Sequence, residues 1–262
     1  MLRTRLLTAA VVLPAVLAML MFASGAMFSA FIAVLGLWAL YEVATMTLAR
    51  DALSLGILAT AGAVPLFVLL ARGDGNLWII PTVVTAAMIA LVVSVAFRGP
   101  AGAPGRRGLG VLGALYIGVL YPYFAILRNL PGGIPMIILM LLLVVASDSG
   151  AYFAGSAIGR TKLAPRVSPN KSVEGAIGGL AAALVAGLLL RRWLAPELSL
   201  SAAAAISVAI AILAQVGDLA GSAFKRAAGV KDSGWIFPGH GGLIDRTCSL
   251  VFAAVFTYYC FK

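Results

Sequence analysis

Apolar runs of about twenty residues, broken by brief polar punctuation, recur along the whole chain. A helix needs about 20 consecutive apolar residues to cross a hydrocarbon core. On that criterion the candidate spans fall near 6–23, 27–48, 53–71, 77–97, 109–127, 134–157, 176–194, 201–224 and 247–261. The pattern predicts an all-α polytopic integral membrane protein with about nine transmembrane helices. Only Ser24-Gly25-Ala26 separates the first two spans, and the last span is short. The first run follows Arg3 and Arg5, yet it outlasts the 7–15 apolar residues typical of a signal peptide, so it reads as retained.

Polar residues concentrate at 98–108, 159–174 and 225–246. Residues 1–130 therefore read as scaffold helices, and 131–262 as catalytic helices with their loops. Glu42 is the only acid deep in an apolar run of the first five spans, and it reads as a snorkelling or hydrogen-bonded carboxylate. The stretch RGPAGAPGRRG at 98–108 reads as a flexible basic loop that sets topology. Asp148 follows MIILMLLLVVAS and would cost at least about 2.5 kcal/mol in lipid, so it should face a polar cavity or another helix. Gly155 and Gly159 are spaced for close helix packing. Ser168 before Pro169 suits an N-cap and first helical position, with Lys171, Ser172 and Glu174 just beyond.

The densest chemistry lies in QVGDLAGSAFKRAAGVKDSGWIFPGHGGLIDRTCS, from Gln215 to Ser249. On a helix, Asp218, Ser222 and Lys225 share one face. A carboxylate, a hydroxyl and an ammonium in succession suit a divalent cation and a phosphate. The helix should stop near Gly229. The glycines of Pro238-Gly239-His240-Gly241-Gly242 let backbone N–H groups approach a ligand closely. Asp245 and Arg246 open the next apolar run, where the helix dipole alone already favours a carboxylate.

Hydrophobic residues make up 62% of the chain and charged ones 11%, against about 25% charged in soluble domains. The net charge of +10 raises nucleic acid as a partner, but the basic residues sit in short loops between spans, as membrane topology requires, so no nucleic acid is expected. With the N-terminus in the cytoplasm and the C-terminus outside, most basic residues fall inside, and Arg191-Arg192 is the exception. Cys248 and Cys260 would lie about 18 Å apart along one helix, too far for a disulfide. Under this topology Asp148, Lys171, Glu174, Asp218 and Asp245 converge at the cytoplasmic ends of the last four helices. Acids with Lys and Arg at a membrane surface point to metal-dependent phosphoryl or nucleotidyl transfer on a lipid. They do not select the nucleotide.

The run S-x-x-K-R-x4-K-D followed by P-G-H-G-G-x-x-D-R, from Ser222 to Arg246, resembles the signature of phosphatidate cytidylyltransferases (CDP-diacylglycerol synthases). The segments 147–160 and 163–175 also resemble motifs of that family, so the likeness covers about residues 147–250. The resemblance implies that CTP and phosphatidate give CDP-diacylglycerol and pyrophosphate with Mg²⁺, a second cation being left open. It places the chain in a bacterial-type inner or plasma membrane, with the lipid bilayer as partner. It makes Asp218 and Asp245 the metal-ligand candidates and, with Lys225 and Arg246, the catalytic set. Arg226 and Lys231 would join Lys225 and Arg246 on phosphates. Asp148, Lys171, Ser172 and Glu174 would complete the nucleotide pocket, and Ser222, Asp232 and His240 are further substrate contacts. His240 suits loop structure or phosphate contact better than proton transfer, because a phosphate monoester with a second pKa of about 6 is already largely anionic near pH 7.

One position departs from the pattern. The family signature usually continues D-R-x-D, and here Cys248 takes the last place; a thiol suits Mg²⁺ poorly. Two other functions fit the residues: a CTP-dependent polyprenol or lipid kinase, and an ion-coupled transporter, for which intramembrane acids are also expected. No internal repeat supports the transporter. Gly- and Ala-rich helices permit a homodimer without requiring one.

Overall fold

The computed structural model describes residues 2–48, 51–74, 79–102, 104–236 and 241–262. The helices are α1 (Leu2–Phe22), α2 (Gly25–Thr47), α3 (Ala52–Ile57), α4 (Val64–Arg72), α5 (Ile79–Arg98), α6 (Arg106–Leu120), α7 (Pro122–Arg128), α8 (Gly133–Ile158), α9 (Val173–Leu194), α10 (Leu200–Ala228) and α11 (Ile244–Phe261). The protein is a polytopic all-α membrane protein. Among the described residues, seven stretches are long and apolar enough to cross a membrane: Gly25–Thr47, Ala52–Arg72, Ile80–Arg98, Arg106–Arg128, Gly133–Ile158, Val173–Leu194 and Leu200–Ala228. The remaining two predicted segments correspond to α1 and α11. Helix α11 packs against α7, α8 and α10 and buries Val251, Phe252, Ala253, Ala254 and Tyr258.

Two spans are not uniform helices. Between α3 and α4, Leu58–Ala63 winds as a π-helix, and Gly62 within it packs against Leu40 while Gly118 of α6 rests on its backbone. The fifth predicted span breaks at Tyr121-Pro122, because Pro122 has no N–H with which to continue α6. The Tyr121 hydroxyl pairs with that of Thr247 on α11, and the Tyr123 hydroxyl lies 2.8 Å from that of Tyr259.

Two sequence expectations are corrected. Ser168-Pro169 does not start a helix: Ser168–Ser172 forms strand β2, antiparallel to β1 (Lys162–Ala164). The N-cap of α9 is Ser172, whose extended backbone lets its hydroxyl accept from the Gly175 N–H at 3.1 Å. Nor is 98–108 simply a flexible loop. It holds a single 3₁₀ turn at Pro100–Gly102 and the first residues of α6, where Arg107 donates to Asp51 at 3.1 Å. Arg191, the exception to the charge bias, donates to the Leu198 carbonyl at 2.6 Å and so closes the α9–α10 turn.

Small residues set how tightly the last helices meet. A side chain at Gly150 would come 2.5 Å from Ala182 and 2.7 Å from the Gly178 carbonyl, so α8 and α9 touch backbone to backbone. Gly155, expected at a close contact, lies against Gly175 on the same seam. Gln215 of α10 donates to the Ala176 carbonyl at 3.0 Å and to Ser147 at 3.4 Å, tying three helices together.

Candidate active site

The C-terminal halves of α8 and α10 and the N-terminal turns of α9 and α11 gather at one end of the bundle. Helix α10 ends where expected. Gly229 is left-handed (φ 79°), its N–H donates to the Arg226 carbonyl at 3.1 Å, and the Val230 N–H donates to the Lys225 carbonyl at 2.9 Å. This Schellman pair occupies the backbone carbonyls of Lys225 and Arg226 and leaves the Lys225 ammonium to form an ion pair with Asp245. The side chains of that pair are only 15% and 6% exposed. Asp245 accepts three further bonds, from the Ser233 N–H at 2.9 Å, the Ser233 hydroxyl at 3.1 Å and the Gly242 N–H at 2.9 Å.

A second ion pair joins Lys171, in β2, to Asp218 at 2.6 Å. Asp148 on α8 lies within electrostatic reach of both. Cys248 lies between the two pairs: its thiol is 4.0 Å from Asp218 Oδ1 and 4.0 Å from the Asp245 backbone carbonyl, and it is itself 4% exposed. It packs where α10 has no side chain, since a Cβ at Gly221 would come 2.8 Å from the Cys248 Cβ. Asp148, Lys171, Asp218, Lys225, Asp245 and Cys248 thus form one continuous cluster.

Other predicted residues take local roles. Glu174 accepts from the Arg160 and Thr161 N–H groups, each at 3.1 Å, and ties α8's exit to the start of α9. Ser172 is buried under the α8–α9 seam as a cap. Arg226 donates to the Val230 carbonyl at 3.3 Å. Ser222 is half-buried on α10, while Lys231, Asp232 and Arg246 are exposed. His240 lies outside the described residues, as do Pro238 and Gly239. Of the loop glycines, Gly241 is left-handed (φ 82°), and the Gly242 amide serves Asp245.

Sequence reasoning set Glu42 aside, and the structure brings it into this cluster. It is 2% exposed and accepts from the Leu243 N–H at 2.7 Å, the Ser233 hydroxyl at 2.8 Å, the Ile244 N–H at 3.0 Å and Trp38 Nε1 at 3.3 Å. It is a satisfied carboxylate rather than a snorkelling one. Three of the four donors, Ser233, Leu243 and Ile244, lie in the catalytic half, and no local pattern around Glu42 names them; Trp38, four residues earlier, is the local one.

The sequence model of the cytidylyltransferase family matches residues 3–262. The chain is also 36% identical, over 98% of its own length and 92% of theirs, to proteins named phosphatidate cytidylyltransferase from Brucella suis and Brucella melitensis. The chain belongs to the cytidylyltransferase family. A Bacillus subtilis protein with the same name is 40% identical over 58% of this chain and 57% of that protein. The cluster sets the Lys171 and Lys225 ammonium groups beside carboxylates, a donor set able to meet phosphate charge.

Among the described residues, no group of three or more His, Cys, Asp and Glu is placed to hold a metal ion. The donor set still fits Mg²⁺ in part, because that ion takes one or two carboxylates and completes its shell with waters and substrate phosphates. Asp218 suits this. Its side chain is 42% exposed, and among the described residues Oδ1 faces the weakly donating thiol of Cys248. Asp245 is different, since both of its oxygens are already engaged.

Proposed function

We propose that this cytidylyltransferase transfers CMP from CTP to phosphatidate, giving CDP-diacylglycerol and pyrophosphate, at the cytoplasmic membrane face and with Mg²⁺. The observation that carries the reading is the pair of acid–ammonium contacts, Lys171–Asp218 and Lys225–Asp245, at one end of a bundle whose whole length matches the family. A lipid acceptor with a charged headgroup and an apolar tail can reach such an end from the bilayer.

In the reaction, a phosphate oxygen of phosphatidate attacks the α-phosphorus of CTP in line. A new P–O bond forms, the bond from the α-phosphorus to its bridging oxygen breaks, and pyrophosphate leaves with the electron pair. The phosphate monoester is largely dianionic, so no base has to remove a proton. Lys171, Lys225, Arg226, Lys231 and Arg246 hold the phosphates, and Asp148, Ser222 and Asp232 line the approach. Asp218 and the nucleotide would hold Mg²⁺, with Asp245, engaged at both oxygens, as the second candidate ligand, and the ion would supply neutralisation of the charge that builds up on the departing pyrophosphate.

Membranes containing the protein, given radiolabelled CTP with phosphatidate and a polyprenol together, should form CDP-diacylglycerol, form it only with Mg²⁺, and leave the polyprenol unphosphorylated. Polyprenyl phosphate instead would reassign the chain as a lipid kinase. Absence of both products, from the protein and from its Cys248→Asp variant, would end the proposal.

A further inference from the structure

Glu42 comes from the scaffold half and grips a loop and a helix start that lie 191 to 202 residues away. All four groups bonded to it are donors: an indole N–H, a hydroxyl and two backbone amides. Only an ionised carboxylate can accept all four at once. The two amides belong to the first turn of α11, where helical N–H groups have no partner of their own. The next residue is Asp245. The Ser233 hydroxyl lies between the two acids, and its single proton is shared by Glu42 and Asp245. Gly242 has no side chain because there is no room for one: a Cβ there would come 2.6 Å from both Glu42 oxygens.

We propose that Glu42 is a positioning residue of the reaction centre, whose carboxylate fixes Ser233 and the first turn of α11 so that Asp245 is held against Lys225. It touches neither substrate and acts through Asp245. This inference rests on the cytidylyltransferase reading given above. It adds that the reaction centre is completed by a side chain from the N-terminal half.

The test uses the full chain, purified and monodisperse, as Glu42→Gln, as Ser233→Ala and as both. Glutamine keeps the shape but turns a donor towards donors. For folded protein, Glu42→Gln should lower kcat at least about tenfold with the KM for CTP changed less than about threefold. Ser233→Ala should also lower kcat, and the double variant should be no slower than Glu42→Gln within about twofold, because both act along one route. A kcat for Glu42→Gln close to that of the parent, or losses that multiply in the double variant, would overturn the proposal. If Glu42→Gln does not accumulate as folded protein, Ser233→Ala decides alone, and an unchanged kcat refutes it. Amide hydrogen exchange separates this from the activity reading. Faster exchange at residues 241–247 in Glu42→Gln, with peptides of α9 unchanged, is expected even if the parent proves inactive on CTP and phosphatidate, and unchanged exchange at 241–247 would overturn the positioning role.

Discussion

Asp245 is engaged at both oxygens. Oδ1 takes the Lys225 ammonium, Oδ2 takes the Ser233 amide and hydroxyl and the Gly242 amide, and its side chain is 6% exposed. Removing the cation from such a pair leaves a buried charge without its counterion, which costs about 3–5 kcal/mol. Lys225→Met should therefore lower the thermal unfolding midpoint sharply in detergent, and a Lys225→Met/Asp245→Asn double variant should regain part of that loss. Asp218 contrasts with it: its side chain is 42% exposed, and among the described residues it meets Lys171 and the distant thiol. Asp218→Asn should leave the unfolding midpoint nearly unchanged while reducing turnover about 10²-fold or more. Cys248→Asp adds a carboxylate beside Asp218 and should lower the Mg²⁺ concentration for half-maximal rate by about tenfold, measured by titrating Mg²⁺ against initial rate. At this scale the sequence exposed Asp148, Lys171, Asp218, Lys225 and Asp245 because acids and lysines stand out against apolar runs. It hid Glu42, whose carboxylate takes the Ser233 hydroxyl and two backbone amides about two hundred positions away besides the nearby Trp38, a relation that only folding creates.

Among the elements, the long apolar runs were readable because period and length mark a membrane helix. The β1–β2 hairpin was not. Strands of 3 and 5 residues carry no periodicity, and Ser168-Pro169 mimics a helix start until pairing to Lys162–Ala164 claims the backbone. Its job is positional, since it delivers Lys171 to Asp218 and ends at the Ser172 cap. Ser172→Ala should cost about 1 kcal/mol, read as a small drop in unfolding midpoint with turnover little changed. The α8–α9 seam tolerates far less. Gly150→Leu would drive a side chain into Ala182 and the Gly178 carbonyl, and the variant should lose folded yield in size-exclusion profiles.

For the molecule as a whole, the division of labour expected between 1–130 and 131–262 is bridged by α2, whose Glu42 reaches Ser233 and Gly242 of the candidate site. The charge bias would put the N-terminus inside, and Arg191 still counts against it, because a guanidinium bonded to the neutral Leu198 carbonyl keeps its full charge. A protease-cleavable reporter fused after Lys262 should be cut in intact cells by external protease, and protection of the reporter would reverse the assignment.

The π-helical turn at Leu58–Ala63 has a consequence for chain length. Its wider winding loops out one residue more than an α-helix needs over the same rise. Deleting a single residue there, such as Ala59, lets the stretch relax to ordinary winding with both flanks still in phase. The same deletion in α4 would swing every later residue by about 100° and carry Leu69 out of the core. This one turn is where the span can shorten without losing its grip on α6.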